Sequence, residues 1–242
     1  MSVSKRELEA AIHYPETDGK PMGETDLHIK LIIDLSEALR NFFRLQPDVY
    51  VSRDLLLYYE PGNARKFVVP DVFVVRGVSK GDRRVYKLWE EGRAPSVVIE
   101  ISSRETKKAD LNSKRHLYER LGVAEYYVFD PERRYVKPPL RAWRLNGGVY
   151  IETAVANGRA QSDELSLELV DTGQMLRLFN PATGQFLLTP EEEAIARQQE
   201  AIARQQEAIA RQQETAARQE AEARVESLAA KLRELGVDPD KL

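Results

Sequence analysis

Between Pro95 and Pro131 the chain reads PSVVIEISSRETKKADLNSKRHLYERLGVAEYYVFDP, an apolar run, a segment of helical period that stops at Gly122, and a second apolar run. Strand, helix and strand in so short a span predict a βαβ unit, in which the two strands lie parallel with a right-handed crossover. The helix is expected from about Thr106 to Leu121, closed by Gly122. Glu100 interrupts the first apolar run and has to be reconciled with a strand inside a core.

The segments before this unit extend the pattern. In ETDLHIKLIIDLSEALRNFFRL, residues 24 to 45, Leu27, Leu31, Leu35, Ala38 and Phe42 recur at the spacing of an amphipathic helix, with Thr25 or Asp26 as its N-cap. DVYVSRDLLLYY and RKFVVPDVFVVRGV are rich in Val, Tyr and Phe and flank EPGN, a turn signal, so they read as a hairpin. The resulting order is α-β-β-β-α-β, an α/β fold. From Pro131 to Pro190, short runs (LRAWRL, VYIET, LSLELV, LRLF) alternate with NGG, ANGRA, DTG and NPATG, and these predict antiparallel hairpins added to the main sheet. The expected organisation is one domain over residues 1–190, β-rich from about 131, followed by a helical tail over 191–242.

That tail repeats EAIARQQ three times from Glu193. Glutamate precedes arginine by four residues at 193/197, 200/204, 207/211 and 214/218, which predicts a long charged helix. Ile195, Ile202 and Ile209 mark one seam position but face glutamine at the complementary one, and Val225, Leu228, Leu232 and Leu235 lie in another register. A solvated helix and a homodimer or other coiled-coil partner are both open.

Composition narrows the chemistry. The 242 residues include no cysteine, which excludes disulfides, thiolate zinc sites, iron–sulfur clusters and cysteine nucleophiles. His13, His28 and His116 are scattered, so a metal here is a hard cation held by carboxylates. A charged start and the lack of a long apolar run predict a cytoplasmic protein with no membrane span. Residues 191–242 carry 8 Lys and Arg against 12 Asp and Glu, leaving 28 against 27 of the chain's 36 and 39 for the body. A surface for a polyanion is therefore a local patch.

Several charges point inward. Strand alternation sets Val97, Ile99 and Ile101 on one face and Val98, Glu100 and Ser102 on the other. On the following helix Leu111, Leu117, Tyr118 and Leu121 define an apolar face with Lys114 near its centre and Asp110 and Lys107 beside it. Asp71, in VVPDVFVV, shares a strand face with Phe73 and Val75. Each charge has an ordinary structural reading by itself: an acid paired at a strand edge, a Pro-Asp turn, a lysine that snorkels outward. Together they suggest one site, because inward charges are costly unless paired or lining a cleft.

Pro70-Asp71 on one strand, Glu100-x-Ser102 on the next, and Asp110-x-x-x-Lys114 before L-Y-x-x-x-G-V-x-E-Y-Y-x-x-D-P resemble the Uma-type family of the PD-(D/E)XK restriction-endonuclease-like superfamily. The resemblance covers roughly residues 10 to 190 and is specific over 70 to 131. It implies a restriction-endonuclease-like core and hydrolysis of phosphodiester bonds in DNA with Mg2+ (or Mn2+). It further implies Asp71 and Glu100 as catalytic metal ligands, with the carbonyl of Ile101 as a further ligand. Ser102 departs from the superfamily pattern, standing where a lysine is usual. Lys114 is the candidate replacement and Lys107 the second, with Ser102 and Asp110 as further candidates. Glu24 matches a position where many members carry another acid, although an acid at a helix start also stabilises the dipole.

For the substrate, SKGDRRVYKLWEEG offers Lys80, Arg83, Arg84 and Lys87 to phosphates and Tyr86 and Trp89 for stacking; the aromatics equally suit pinning the loop to the body. A second class of function is an inactive nuclease fold that binds DNA or a protein partner, separated from the first by Mg2+ binding at Asp71 and Glu100.

Overall fold

Helix α1, Asp26–Phe42, opens where Thr25 accepts the His28 N–H on its hydroxyl at 3.3 Å, satisfying a donor that a helix start leaves unpaired. Leu31, Ile32, Leu35 and Leu39 bury one stripe of it. The computed structural model describes residues 13–17, 25–173 and 175–234. The chain divides into two compact units, Met1–Pro190 and Glu191–Leu242.

In the first unit, β1 (Val49–Arg53), β2 (Leu57–Tyr58), β3 (Phe67–Val68), β4 (Val72–Arg76), β5 (Tyr86–Lys87), the short helix α2 (Leu88–Glu91) and β6 (Val97–Ile101) follow α1. A π-helical segment, Ala109–Lys114, continues into α3 (Arg115–Leu121), which Gly122 ends at a φ of 82°. Then come β7 (Glu125–Phe129), β8 (Leu140–Asn146), β9 (Val149–Thr153), β10 (Arg159–Ser162), β11 (Leu167–Asp171), β12 (Leu176–Asn180) and β13 (Gln185–Phe186). The main sheet runs β1-β4-β6-β7-β8-β9, with β6 and β7 parallel and the other neighbours antiparallel.

The hairpin expected over residues 48–78 is split. β1 pairs with β4 in the main sheet, whereas β2 pairs with β3, and β5 joins β2 in parallel to complete a separate three-stranded sheet. Pro70 has no N–H to give and Asp54 turns to a φ of 47°, so the ladder breaks between the two halves. Asp71 stands at that break, one residue before β4.

β4, β6 and β7 are covered on both faces. Val72, Val74, Val97, Ile99 and Phe129 belong to an apolar layer with α1; Phe73, Val75, Val98, Tyr126 and Val128 belong to another with Tyr118 of α3. Helix α1 on one side and α3 on the other therefore sandwich the sheet, and Glu100 falls on the α3 side.

The β-rich extension departs from expectation. β8 and β9 lengthen the main sheet, but β10–β13 form a four-stranded antiparallel sheet of their own. Leu167, Leu169, Leu176 and Leu178 bury its inner face in the α1 layer, so it packs across the main sheet instead of adding to its edge.

The described part of the second unit is helical: α4 spans Pro190–Glu234, 45 residues or about 67 Å of helix. Glu193/Arg197, Glu200/Arg204 and Glu207/Arg211 pair as the spacing predicts, but Arg218 pairs forward with Glu222 at 2.8 Å rather than back with Glu214. Ile195, Ile202 and Ile209 are about half exposed. Leu235 of the second seam lies outside the described residues. No helix among the described residues is long and apolar enough to cross a membrane.

Candidate active site

β4 and β6 are antiparallel with Val72 opposite Ile99, so the start of one meets the end of the other and Asp71 comes beside Glu100. The Ile101 N–H donates to Asp71 Oδ2 at 2.6 Å, and no hydrogen bond reaches Asp71 Oδ1 among the described residues. Glu100 is fully buried beneath the helical segment after β6. Its Oε2 accepts from Lys114 Nζ at 2.8 Å and its Oε1 from the Tyr118 hydroxyl at 2.7 Å.

Lys114 Nζ also lies 3.1 Å from Oδ1 of Asp110, which is fully buried, and Ser102 donates its hydroxyl to Asp110 Oδ2 at 2.9 Å. The Tyr126 hydroxyl holds the Asp110 carbonyl at 2.9 Å. Asp110 and Lys114 both ride on the π-helical turn, whose wider i→i+5 spacing is often found where helices carry functional groups.

Burial pushes the Glu100 carboxyl well above the usual range, and Asp71 and Asp110 add to the rise against the pull of Lys114. For Lys114, burial opposes the charged form, but Glu100, Asp110 and Asp71 outweigh it and hold the ammonium above the ordinary lysine value. Burial raises the Tyr118 phenol well above its ordinary value, and Glu100 raises it further, so it stays a proton donor to Glu100.

The donor set fits one class of metal. Among the described residues no three His, Cys, Asp or Glu side chains are grouped to hold an ion, which is unlike a zinc cage. Two adjacent carboxylates, one with an unoccupied oxygen, suit a hard cation that keeps several of its waters.

Asp71, Glu100, Ile101, Ser102, Asp110 and Lys114 are thus brought together. Lys107 is not: its Nζ stands 5.1 Å from the centre of the Tyr135 ring. Glu24 lies outside the described residues. The basic loop is largely engaged within the fold. Lys80 donates to the Phe43 and Arg44 carbonyls at 2.6 and 3.0 Å, closing the end of α1. Arg83 forks onto Glu91 at 2.6 and 3.0 Å and covers the Tyr50 ring. Lys87 pairs with Glu90, and Arg84, 83% exposed, with Glu16. Tyr86 is a core residue and Trp89 packs near Tyr14.

Two neighbours of the cluster are not among the sequence candidates. Tyr118 had a legible signal, since it sits four residues after Lys114 on the same helix face. His28, with Nε2 3.6 Å from Asp71 Oδ2, had none, because its relation to Asp71 is set by packing of α1 on the sheet.

The family described as "Uma2: Putative restriction endonuclease" matches residues 7–178. The chain belongs to the Uma2 family. One similar solved structure is that of "a putative nuclease belonging to DUF820" from Anabaena variabilis ATCC 29413, at 13% identity and a TM-score of 0.45, covering 68% of this chain and 91% of that one. Among curated proteins nothing matches. Within the Uma2 match lie all the residues of the buried cluster.

Proposed function

We propose that the chain is a Mg2+-dependent (or Mn2+-dependent) endonuclease that hydrolyses phosphodiester bonds in DNA. In this reading residues 1–190 form a restriction-endonuclease-like domain, β-rich from about 131, and residues 191–242 a separate helical tail. The carrying observation is the convergence of Asp71, Glu100 and Lys114 from three elements, with Lys114 Nζ 2.8 Å from a fully buried Glu100. Such crowding of acids is costly to a fold and is characteristic of sites that handle charge.

Asp71 and Glu100 would hold the ion. The Ile101 carbonyl suits a third ligand, because its N–H faces Asp71 and both polar groups of a strand residue point to the same edge. A divalent cation held there would supply a coordinated water of lowered pKa and positive charge against that developing on the phosphate. Lys114 remains protonated, so it contributes positive charge and orientation instead of accepting a proton. Ser102 aligns Asp110, Asp110 and Glu100 together aim the ammonium, and Tyr118 fixes the carboxylate of Glu100. This accounts for serine at the position where the superfamily has lysine: the cation arrives from the helix and the serine supports one of its anchors.

The test is nicking of supercoiled plasmid by wild type, Glu100→Gln and Lys114→Ala with Mg2+, Mn2+ or EDTA. Cutting that needs the metal and is lost in both variants is expected. A wild type that neither binds Mg2+ nor cuts would sink the reading and favour the inactive module.

A further inference from the structure

The loops that leave β6 and β7 carry charge that the buried cluster does not use. Segments 103–108 and 131–138 hold Arg104, Lys107, Lys108, Arg133, Arg134 and Lys137 against only Glu105 and Glu132. Because β6 and β7 are parallel, with Ile101 opposite Phe129, both segments depart from one edge of the sheet, the edge where Glu100 ends its strand. Ligands of open α/β sheets gather at this kind of edge, beyond the carboxyl ends of parallel strands.

The two segments touch. Lys107 of the first stands over the Tyr135 ring of the second, its Nζ 5.1 Å from the ring centre. Both are also held rigid from below. Ser103 and Thr106 exchange side-chain-to-backbone hydrogen bonds at 3.0 and 3.2 Å. Asp130, fully buried, accepts the N–H groups of Glu132 and Arg133 on one oxygen and of Tyr135 and Val136 on the other.

Their cations differ in availability. Arg133 is tied to Asp171 at 2.8 Å, and Arg134 stands 3.9 Å from Glu132. Arg104, Lys108 and Lys137 are exposed and make no ion pair among the described residues. Three unpaired cations on loops whose backbone is already hydrogen-bonded match a polyanion with only side-chain ordering left to occur on binding.

We propose that segments 103–108 and 131–138 form the surface that holds the DNA backbone against the carboxylate cluster, with Arg104, Lys108 and Lys137 on phosphates. This rests on the reading of the site as a DNA nuclease, and it moves the contact away from the loop of Lys80 to Lys87. Contact is to the backbone, so it is independent of base sequence.

The experiment measures binding of labelled duplex DNA by Glu100→Gln protein with Mg2+ across a series of KCl concentrations. The same background then carries Arg104→Ala, Lys108→Ala and Lys137→Ala together, or, as a control of equal charge, Arg65→Ala, Lys66→Ala and Arg120→Ala, exposed cations outside the two segments, before β3 and on α3. The first triple is expected to flatten the slope of log affinity against log salt by about 0.9 per lost contact, equally for unrelated duplexes, while the control leaves it unchanged. Thermal melting of each variant matched to its background checks that the fold is intact, and Arg104→Lys with Lys108→Arg and Lys137→Arg should retain the slope. An unchanged slope in the first triple, with salt-dependent binding present in the background protein, overturns this surface and leaves the nuclease reading standing. If the background protein shows no salt-dependent binding, this surface falls, and plasmid nicking by wild type decides the nuclease reading separately.

Discussion

Glu100 and Glu125 are two buried glutamates at opposite ends of the same parallel strand pair, and they are held in opposite ways. Glu125, 2% exposed on the α1 side of β7, accepts the Tyr127 hydroxyl at 2.9 Å, the Ser162 hydroxyl and the Asp163 N–H at 2.9 Å, with Arg144 3.3 Å away. Its donors come from β7, β8, the last residue of β10 and the turn that follows, so it fastens the second sheet to the first. Glu100, on the α3 side of β6, receives only Lys114 and Tyr118 among the described residues and has Asp71 and Asp110 as neighbours. A buried carboxylate surrounded by donors is architecture; one crowded by other carboxylates is held at a cost and is available for a further cation.

The largest expected effect separates the two by activity. Glu100→Gln should abolish metal-dependent plasmid cleavage, a loss beyond about 10^3-fold, whereas Glu125→Gln should keep the turnover of each folded molecule. Equal losses would erase the distinction. Next is stability. Glu125→Ala leaves the Ser162 hydroxyl and the Asp163 N–H without an acceptor and Tyr127 with the Gln161 carbonyl alone, at about 1–3 kcal/mol for each orphaned donor, so urea unfolding should show a loss of about 3 kcal/mol. Glu100→Gln should stay within about 1 kcal/mol of wild type or above it, because it removes like-charge repulsion.

A smaller effect is expected at His28. With Asp71 as a metal ligand, as proposed, His28→Ala should raise the Mg2+ concentration needed for cleavage by about 10-fold, and an unchanged Mg2+ requirement would make His28 a packing residue. The subtlest contrast is in pH. The Glu100 carboxyl is raised in the fold, by burial first and then by Asp71 and Asp110, so the folded chain binds that proton more tightly than the unfolded chain. Its contribution is complete below the ordinary glutamate pKa and is lost as pH rises through the raised value. Urea midpoints of Glu100→Gln should therefore gain on wild type as pH increases from acid toward neutral, and a constant difference would contradict the assignment.

Much of this arrangement could be read along the chain. Alternation placed Glu100 on the face opposite Ile99, helical period put Lys114 on the inner stripe, and Gly122 marked the end of the helix. These are local facts, set by backbone geometry within a few residues. The engagement of Arg83 with Glu91 and the separate sheet of β10–β13 were not legible, since a basic loop and a run of short strands have the same pattern whether they face substrate or body. The π-helical turn was hidden for a related reason: one wider turn hardly disturbs the spacing of Leu111, Leu117 and Tyr118.

Sequence by itself determined the parallel strand pair, the faces of its strands and the presence of acids and lysines on an inward stripe, because these follow from periods of two and of about 3.6 residues. Tertiary structure alone decided which carboxylate is saturated and which is crowded. Asp71 meets His28 across 43 positions, Glu125 meets Ser162 across 37, and Lys114 closes on Glu100 only because a helix folds back over the end of its strand. Electrostatic character depends on what lies within about 3–4 Å, where the energy of a charge pair is steepest, and that distance is set by packing between segments far apart in the chain.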